Sequence, residues 1–180
     1  MKSRKFNLKL KVKHLKKLDR NLLSKILKLK KSHYKFSLSS QKVWFKKNIQ
    51  NLDKHLILYN KKNVIGYNVL RLKKIKFIYQ KSKVLNNAYI FDTIIIKNEF
   101  RNQGFSNLIM NKSNHIIKRK KYISFLVCKK KMIKFYKYFN WKIISDNKIS
   151  ISNFKKGNKH VWMYYGKKLN IKNIKKIEIF

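Results

Sequence analysis

Phe91, Asp92 and Thr93 run into three isoleucines, Ile94, Ile95 and Ile96, and then into Arg101, Asn102, Gln103, Gly104, Phe105 and Ser106. An apolar, β-branched run that stops at a turn and restarts as a helix aims several backbone N–H groups at one point, where a phosphate can sit. One glycine with a serine two residues on is a thin motif, and a close-packed strand-to-helix turn has the same spelling. Acidic residues are scarce: Asp19, Asp53, Asp92, Glu99, Asp146 and Glu178 are all there are. A carboxylate inside a core strand therefore stands out, and Asp92, sharing parity with Ile90 and Ile94, is a candidate base or ammonium ligand. A structural hydrogen-bonding role is the alternative. Glu99, in the turn, reads as a solvated charge.

A second segment changes the weight of the first. The apolar run Ile123 to Cys128 leads through Lys129, Lys130 and Lys131 to Phe135, Tyr136, Tyr138, Phe139, Asn140 and Trp141. Together the two segments resemble the acetyl-CoA-binding core of the GCN5-related N-acetyltransferases. That family has an apolar strand, an aromatic, an Arg or Gln, then x-x-Gly-x-Gly/Ala and a helix, followed by a strand and a helix ending in Tyr, three residues, Gly and an aromatic. Ile96, Phe100, Arg101, Gly104 and Ser106 match the first block, and Phe135, Tyr136 and Trp141 the second. The likeness covers roughly residues 88–144.

The departures are specific. Asn102 stands where many relatives have glycine, Ser106 takes the last small-residue position, and Lys129 replaces an asparagine that touches the pantetheine arm. Asn140 replaces the glycine that ends the last helix, a benign change because asparagine tolerates the left-handed conformation.

The resemblance implies direct transfer of an acetyl group from acetyl-CoA to a primary amine of a small molecule, without a covalent enzyme intermediate. It places Ile94, Ile95, Ile96, Arg101, Asn102, Gln103, Gly104, Phe105, Ser106 and Lys129 at the cofactor. Tyr136 falls where many relatives place a tyrosine that protonates the departing thiolate, and a phenol ordinarily keeps its proton at neutral pH. A plain core aromatic is the alternative reading. The acceptor is bound in this family by variable elements, so Trp44, His55, Tyr67, Arg71, Trp162 and Tyr164 are candidates by location.

The chain has 180 residues, 44% hydrophobic and 14% aromatic, enough for one domain with a proper core across residues 1–180. Polar groups interrupt every apolar run well short of the roughly eighteen residues of a membrane span. The basic opening, Met1 to Lys5, has no apolar stretch behind it, so a secretory signal is not expected and a cytoplasmic place is. Cys128 is the only cysteine, which excludes an internal disulfide and a thiolate metal cage. Beside Lys129 its thiol is a candidate for a depressed pKa, against the plainer reading of a buried strand-end thiol. His14, His33, His55, His115 and His160 show no ligand spacing, and no metal is expected.

A formal charge of +42 invites a nucleic-acid reading. Only five of the 48 basic residues are arginine, the side chain suited to bidentate phosphate and base contacts. No proline, one alanine and heavy use of Asn, Ile and Lys are what an AT-rich coding sequence produces. Salt-dependent attraction for polyanions, coenzyme A included, follows whatever the origin. It also mildly favours an acceptor carrying a phosphate or carboxylate.

The elements that must position these groups read as follows. Phe6 to Val12 alternates as a strand; Leu15, Leu18, Leu22, Leu23, Ile26 and Leu27 recur at helical spacing, with Asp19 near the helix start. Ser39 or Ser40 is the expected N-cap of a second helix. Strands at residues 56–59 and 64–70 flank a hairpin turn, Asn60 to Asn63, and a second turn is expected at Asn86 and Asn87. A helix from Ser106 to about Lys118, a strand to Cys128, a helix to Phe139 and strands near 141–144 and 161–165 complete the order. This is an α+β arrangement: a mixed, mostly antiparallel sheet flanked by helices. In the family it resembles, two central parallel strands splay into a V, here those ending at Ile96 and Cys128. The rival readings are a basic RNA- or ribosome-binding module and an inactive chain of the same fold; a monomer or homodimer suits the enzyme reading.

Overall fold

The computed structural model describes residues 6–144, 150–151, 160–166 and 173–180. Met1 to Lys5, on which the expectation about a secretory signal falls, and Asp146 lie outside them. The elements are β1 (Leu8–Lys13), α1 (Arg20–His33), α2 (Leu38–Asn48), β2 (Lys54–Asn60), β3 (Asn63–Tyr79), β4 (Lys83–Ile96), α3 (Phe105–Arg119), β5 (Ile123–Lys129), α4 (Ile133–Tyr138), β6 (Lys142–Ile143), β7 (Ser150–Ile151), β8 (His160–Gly166) and β9 (Ile174–Ile179). Hydrogen bonding orders the strands β1-β2-β3-β4-β5-β8-β6, with β9 on β3 and β7 on β9. The sheet is mixed: β1–β2, β2–β3, β3–β9, β5–β8 and β6–β8 are antiparallel, β4–β5 and β7–β9 parallel. Parallel pairing of β4 with β5 covers only Ala88–Ile90 against Ile123–Phe125, while β4 runs on to Ile96 and β5 to Lys129.

Packing gathers into two compact units: residues 1–71 with 92–113, and residues 72–91 with 114–180. In the first, the apolar stripe of α1 (Leu22, Ile26, Leu27, Leu29) and Phe45 of α2 close over Ile57, Tyr67, Val69 and Ile95. In the second, Phe77, Ala88, Ile90, Phe125, Trp162, Tyr164 and Ile177 form the core.

Some local expectations hold and others change. Asp19 is the N-cap of α1, its carboxylate accepting from Leu22 N at 2.8 Å. The N-cap of α2 is Ser37, accepting from Ser40 N, so Ser39 and Ser40 are already helical. Leu15 to Lys17 form a separate 3-10 turn, because the helix cannot start before its cap. The turn expected at Asn86 and Asn87 is strand; β3 and β4 are long, and the chain reverses at residues 80–82, where Tyr79 N donates to Ser82 O. β7 and β9 were not anticipated. Among the described residues no helix is long and apolar enough to cross a membrane.

Candidate active site

The first unit carries the turn. β4 ends by donating Lys97 N to Ile65 O, and residues 98–100 make one 3-10 turn. Asn102 (φ 59°) and Gly104 (φ 72°) are both left-handed, with Arg101 and Gln103 on the ordinary side. A left-handed residue after the extended Arg101 (ψ 164°), and another before α3, make a tight turn of the kind that can offer successive backbone N–H groups to an anion. Phe100 N, Arg101 N and Asn107 N bond to Lys97 O, Asn98 O and Gly104 O, which leaves the N–H groups of residues 102–106 without an acceptor among the described residues. They open onto the start of α3, where the helix dipole adds to the attraction for an anion. Phe105, packed edge-on against Phe6, anchors that helix start. Gly66 lets α3 sit close: a Cβ there would lie 2.8 Å from Ile96 Cδ1 and 3.0 Å from Ile109 Cδ1. The left-handed φ of Asn102 is one that asparagine tolerates better than most residues with a side chain.

Not all expected cofactor residues present side chains. Ile95 and Ile96 are buried, so only their backbone is available, and Ile94 is half-buried. Arg101 turns back, Nε donating to Ile96 O at 3.1 Å and Nη2 lying 3.0 Å from His33 Nδ1. Backbone N–H groups, rather than that guanidinium, are what the turn leaves unengaged among the described residues.

β4 is interrupted where the sequence suggests simple alternation. Thr93 is left-handed (φ 58°), a costly conformation for a β-branched residue. Asn68 Nδ2 donates to both Asp92 O (3.1 Å) and Thr93 O (2.8 Å), and Ser113 Oγ donates to Asn68 Oδ1 (3.1 Å). Both Asn68 and Ser113 are fully buried. Two successive carbonyls therefore face Asn68, and across planar trans peptides the N–H groups of Thr93 and Ile94 face the other way. Two adjacent N–H groups on one side of a strand suit a carbonyl oxygen gaining negative charge. The bulge also corrects the parity argument: alternation between Asp92 and Ile94 is broken at Thr93.

Asp92 lies in a polar cluster on the first unit. Its Oδ2 is 3.0 Å from Arg71 Nε, and Thr93 Oγ1 donates to its Oδ1. Tyr34 OH lies 3.3 Å from Thr93 Oγ1. Trp44, from α2, has Lys30 Nζ 3.8 Å and the Arg71 guanidinium 5.5 Å from its ring centre. Of the residues named as acceptor candidates, Trp44 and Arg71 thus come together with Asp92. His55 and Tyr67 form a buried pair, and Trp162 and Tyr164 belong to the core of the second unit. Lys30, Asn68, Thr93 and Ser113 were missed. Lys30 had a signal: it continues the i+4 row of Leu22 and Ile26 on the buried face of α1.

His55 stacks on Phe45 and Tyr67, and Nδ1 shares a 2.8 Å hydrogen bond with the Tyr67 hydroxyl. Nε2 is buried without a hydrogen-bond partner among the described residues. Burial first, then the charges of His14 and Lys30, push its pKa down to about 4. Above about pH 6.5 the ring is neutral folded or unfolded; below it the unfolded chain takes the proton first. Stability is therefore lost as pH falls from 6.5 to about 4, by about 3 kcal/mol in all. Thermal melts of wild type and His55→Asn across this window should converge toward acid pH; parallel profiles would contradict it.

In the second unit Tyr136 lies on α4, 7% exposed, with its ring edge-on to Phe91, Phe135 and Trp141. Asn140 is left-handed (φ 63°), ending the helix as expected, and Trp141 N donates to Tyr136 O. Asn114 ties this end down, donating to Phe139 O and accepting from Trp141 Nε1. Lys129 is exposed at the end of β5. Tyr138 is exposed. Cys128 is buried beside Met163, and burial pushes its thiol pKa up rather than down, in line with the plainer reading of a strand-end thiol.

No protein-family model and no curated protein matches the sequence. Solved structures share its fold. The chain is similar to Escherichia coli ElaA (TM-score 0.63, 11% identity, 87% of this chain and 98% of that one). It is similar to an acyl-CoA N-acyltransferase from Pseudomonas aeruginosa (0.62, 12%, 87% and 98%). A third match is an aminoglycoside 6'-N-acetyltransferase complexed with coenzyme A (0.62, 9%, 87% and 96%).

Proposed function

The chain has the fold of the GCN5-related N-acetyltransferases, and on that fold we propose an acyl-CoA-dependent N-acyltransferase that moves an acetyl group from acetyl-CoA to a primary amine. The observation that supports this reading is the left-handed pair Asn102 and Gly104 at the start of α3, with the N–H groups of residues 102–106 lacking an acceptor among the described residues. The diphosphate is the part of coenzyme A that such a turn would hold.

In the proposed reaction the amine nitrogen attacks the thioester carbonyl carbon, a C–N bond forms, the C–S bond breaks, and the thiolate leaves with a proton. The N–H groups of Thr93 and Ile94 steady the oxyanion of the tetrahedral state, with Asn68 and Ser113 holding the bulge that presents them. Asp92 receives the ammonium and passes its proton on through water. Tyr136, on the family resemblance, supplies the proton that the thiolate takes. An acceptor of small-molecule size and a cytoplasmic, monomeric or homodimeric protein belong to the same reading.

Thiol release from acetyl-CoA on adding a primary amine tests the function; none across a broad amine panel would count against it. Asp92→Asn tests the base: the rising limb of the pH–rate profile should flatten or move. An unchanged limb would leave Asp92 a positioning role through Arg71.

A further inference from the structure

In a chain so rich in lysine, one lysine is unlike the rest. Among the described residues Lys30 is the lysine that is buried, 3% exposed, on the core face of α1. Its ammonium has the Trp44 ring as neighbour, and among the described residues no ion pair includes it. Arg71 approaches the same ring. Two cations therefore share one indole with one carboxylate, Asp92. That carboxylate is engaged by Arg71 and Thr93. The contact from Arg71 Nε is close but not aligned as a hydrogen bond, and among the described residues this buried N–H has no other acceptor. Nη1 is held loosely by Asn48 Oδ1 at 3.4 Å.

An indole face offsets only part of the cost of burying an ammonium ion. The cluster is one negative charge short, in a place where diffuse solvent screening is weak. Codon composition explains exposed lysines; it does not explain a cation on the core face of a helix.

We propose that Lys30, Trp44 and Arg71 form an oxyanion site that binds the carboxylate or phosphate of the acceptor, next to Asp92, which takes its amine. The proposal rests on the acetyl-transfer reading and narrows it to amines carrying an anionic group. An acceptor of this kind meets complementary charges in both halves: cations for its anion, a carboxylate for its ammonium. A neutral amine would leave Lys30 uncompensated and a cationic one would add to the excess. At neutral pH Lys30 is still largely charged, since burial, opposed by Asp92 and reinforced by Arg71, lowers its pKa only to about 8.

The test reads the indole N–H resonance of Trp44 in the full chain, assigned by its loss in Trp44→Phe, at constant ionic strength and without acetyl-CoA. Probes are O-phosphoethanolamine and β-alanine, one for each anion, with ethanolamine as the matched uncharged-tail control. Saturable shifts of the Trp44 resonance with either anionic amine, absent with ethanolamine and lost in Lys30→Met, are expected. No shift, or one that survives in Lys30→Met, would overturn the proposal. A second readout needs no ligand: Lys30→Met removes an uncompensated charge and should raise the melting temperature by roughly 5 °C. An unchanged or lower melting temperature would equally overturn it. The two levels fail separately. Anion binding without acetyl transfer would sink the enzyme reading and spare this site; acetyl transfer with an insensitive Trp44 would do the reverse.

Discussion

Tyr136→Phe is expected to lower kcat by about 10²- to 10³-fold while leaving KM for acetyl-CoA within a small factor. The substitution isolates the hydroxyl. Phe keeps the ring that sits edge-on to Phe91, Phe135 and Trp141, and α4 keeps its left-handed end at Asn140. An interaction made with the sulfur only as the C–S bond breaks contributes to the transition state and not to binding of the thioester, so the loss falls on kcat. Single-turnover kinetics with acetyl-CoA would separate chemistry from release. A variant with wild-type kcat would assign Tyr136 to the core and move proton donation elsewhere.

Gly104→Val should lower acetyl-CoA affinity by about 100-fold, roughly the worth of two charge-assisted hydrogen bonds. The reason lies in the backbone. A Cβ at Gly104 would find only Asn107 Nδ2, at 3.9 Å, so crowding by the protein is not the obstacle. The left-handed φ of 72° is the obstacle, costing a β-branched residue about 1–2 kcal/mol and favouring a turn whose N–H groups diverge. Gly104→Asn discriminates between explanations, because asparagine accepts this φ. Near-normal affinity in Gly104→Asn supports the backbone account; a loss equal to that of valine would point to steric exclusion of the phosphate by any side chain. A folded Gly104→Val with unchanged affinity would remove the turn from the site.

The turn and the second aromatic block were legible because each depends on local chemistry: a β-branched run, one glycine, a helix start, and an asparagine that can end a helix. The strand pairing was less so. Asn86 and Asn87 look like a turn in sequence, but the β3–β4 connection closes at residues 80–82 and the long strands carry the two asparagines as ladder residues. β9 joins the sheet by pairing with β3, a contact no local pattern announces. The bulge at Thr93 was invisible for a similar reason. Nothing about threonine favours φ 58°; the conformation is imposed by Asn68 and Ser113, which are distant in sequence. Lys30 was hidden by its own abundance, since a lysine among 48 basic residues reads as surface until its helical row is followed inward.

Calorimetric titration of acetyl-CoA against ATP, at about 0.15 M salt and again several-fold higher, tests the central claim most directly. At the higher salt the diffuse attraction of a +42 chain for any polyphosphate is screened. The account expects acetyl-CoA to keep an affinity on the order of micromolar at both salts while ATP loses most of its binding. If the two fade together, the turn at residues 101–106 holds no cofactor, and a basic module attracted to polyanions becomes the better description of this fold.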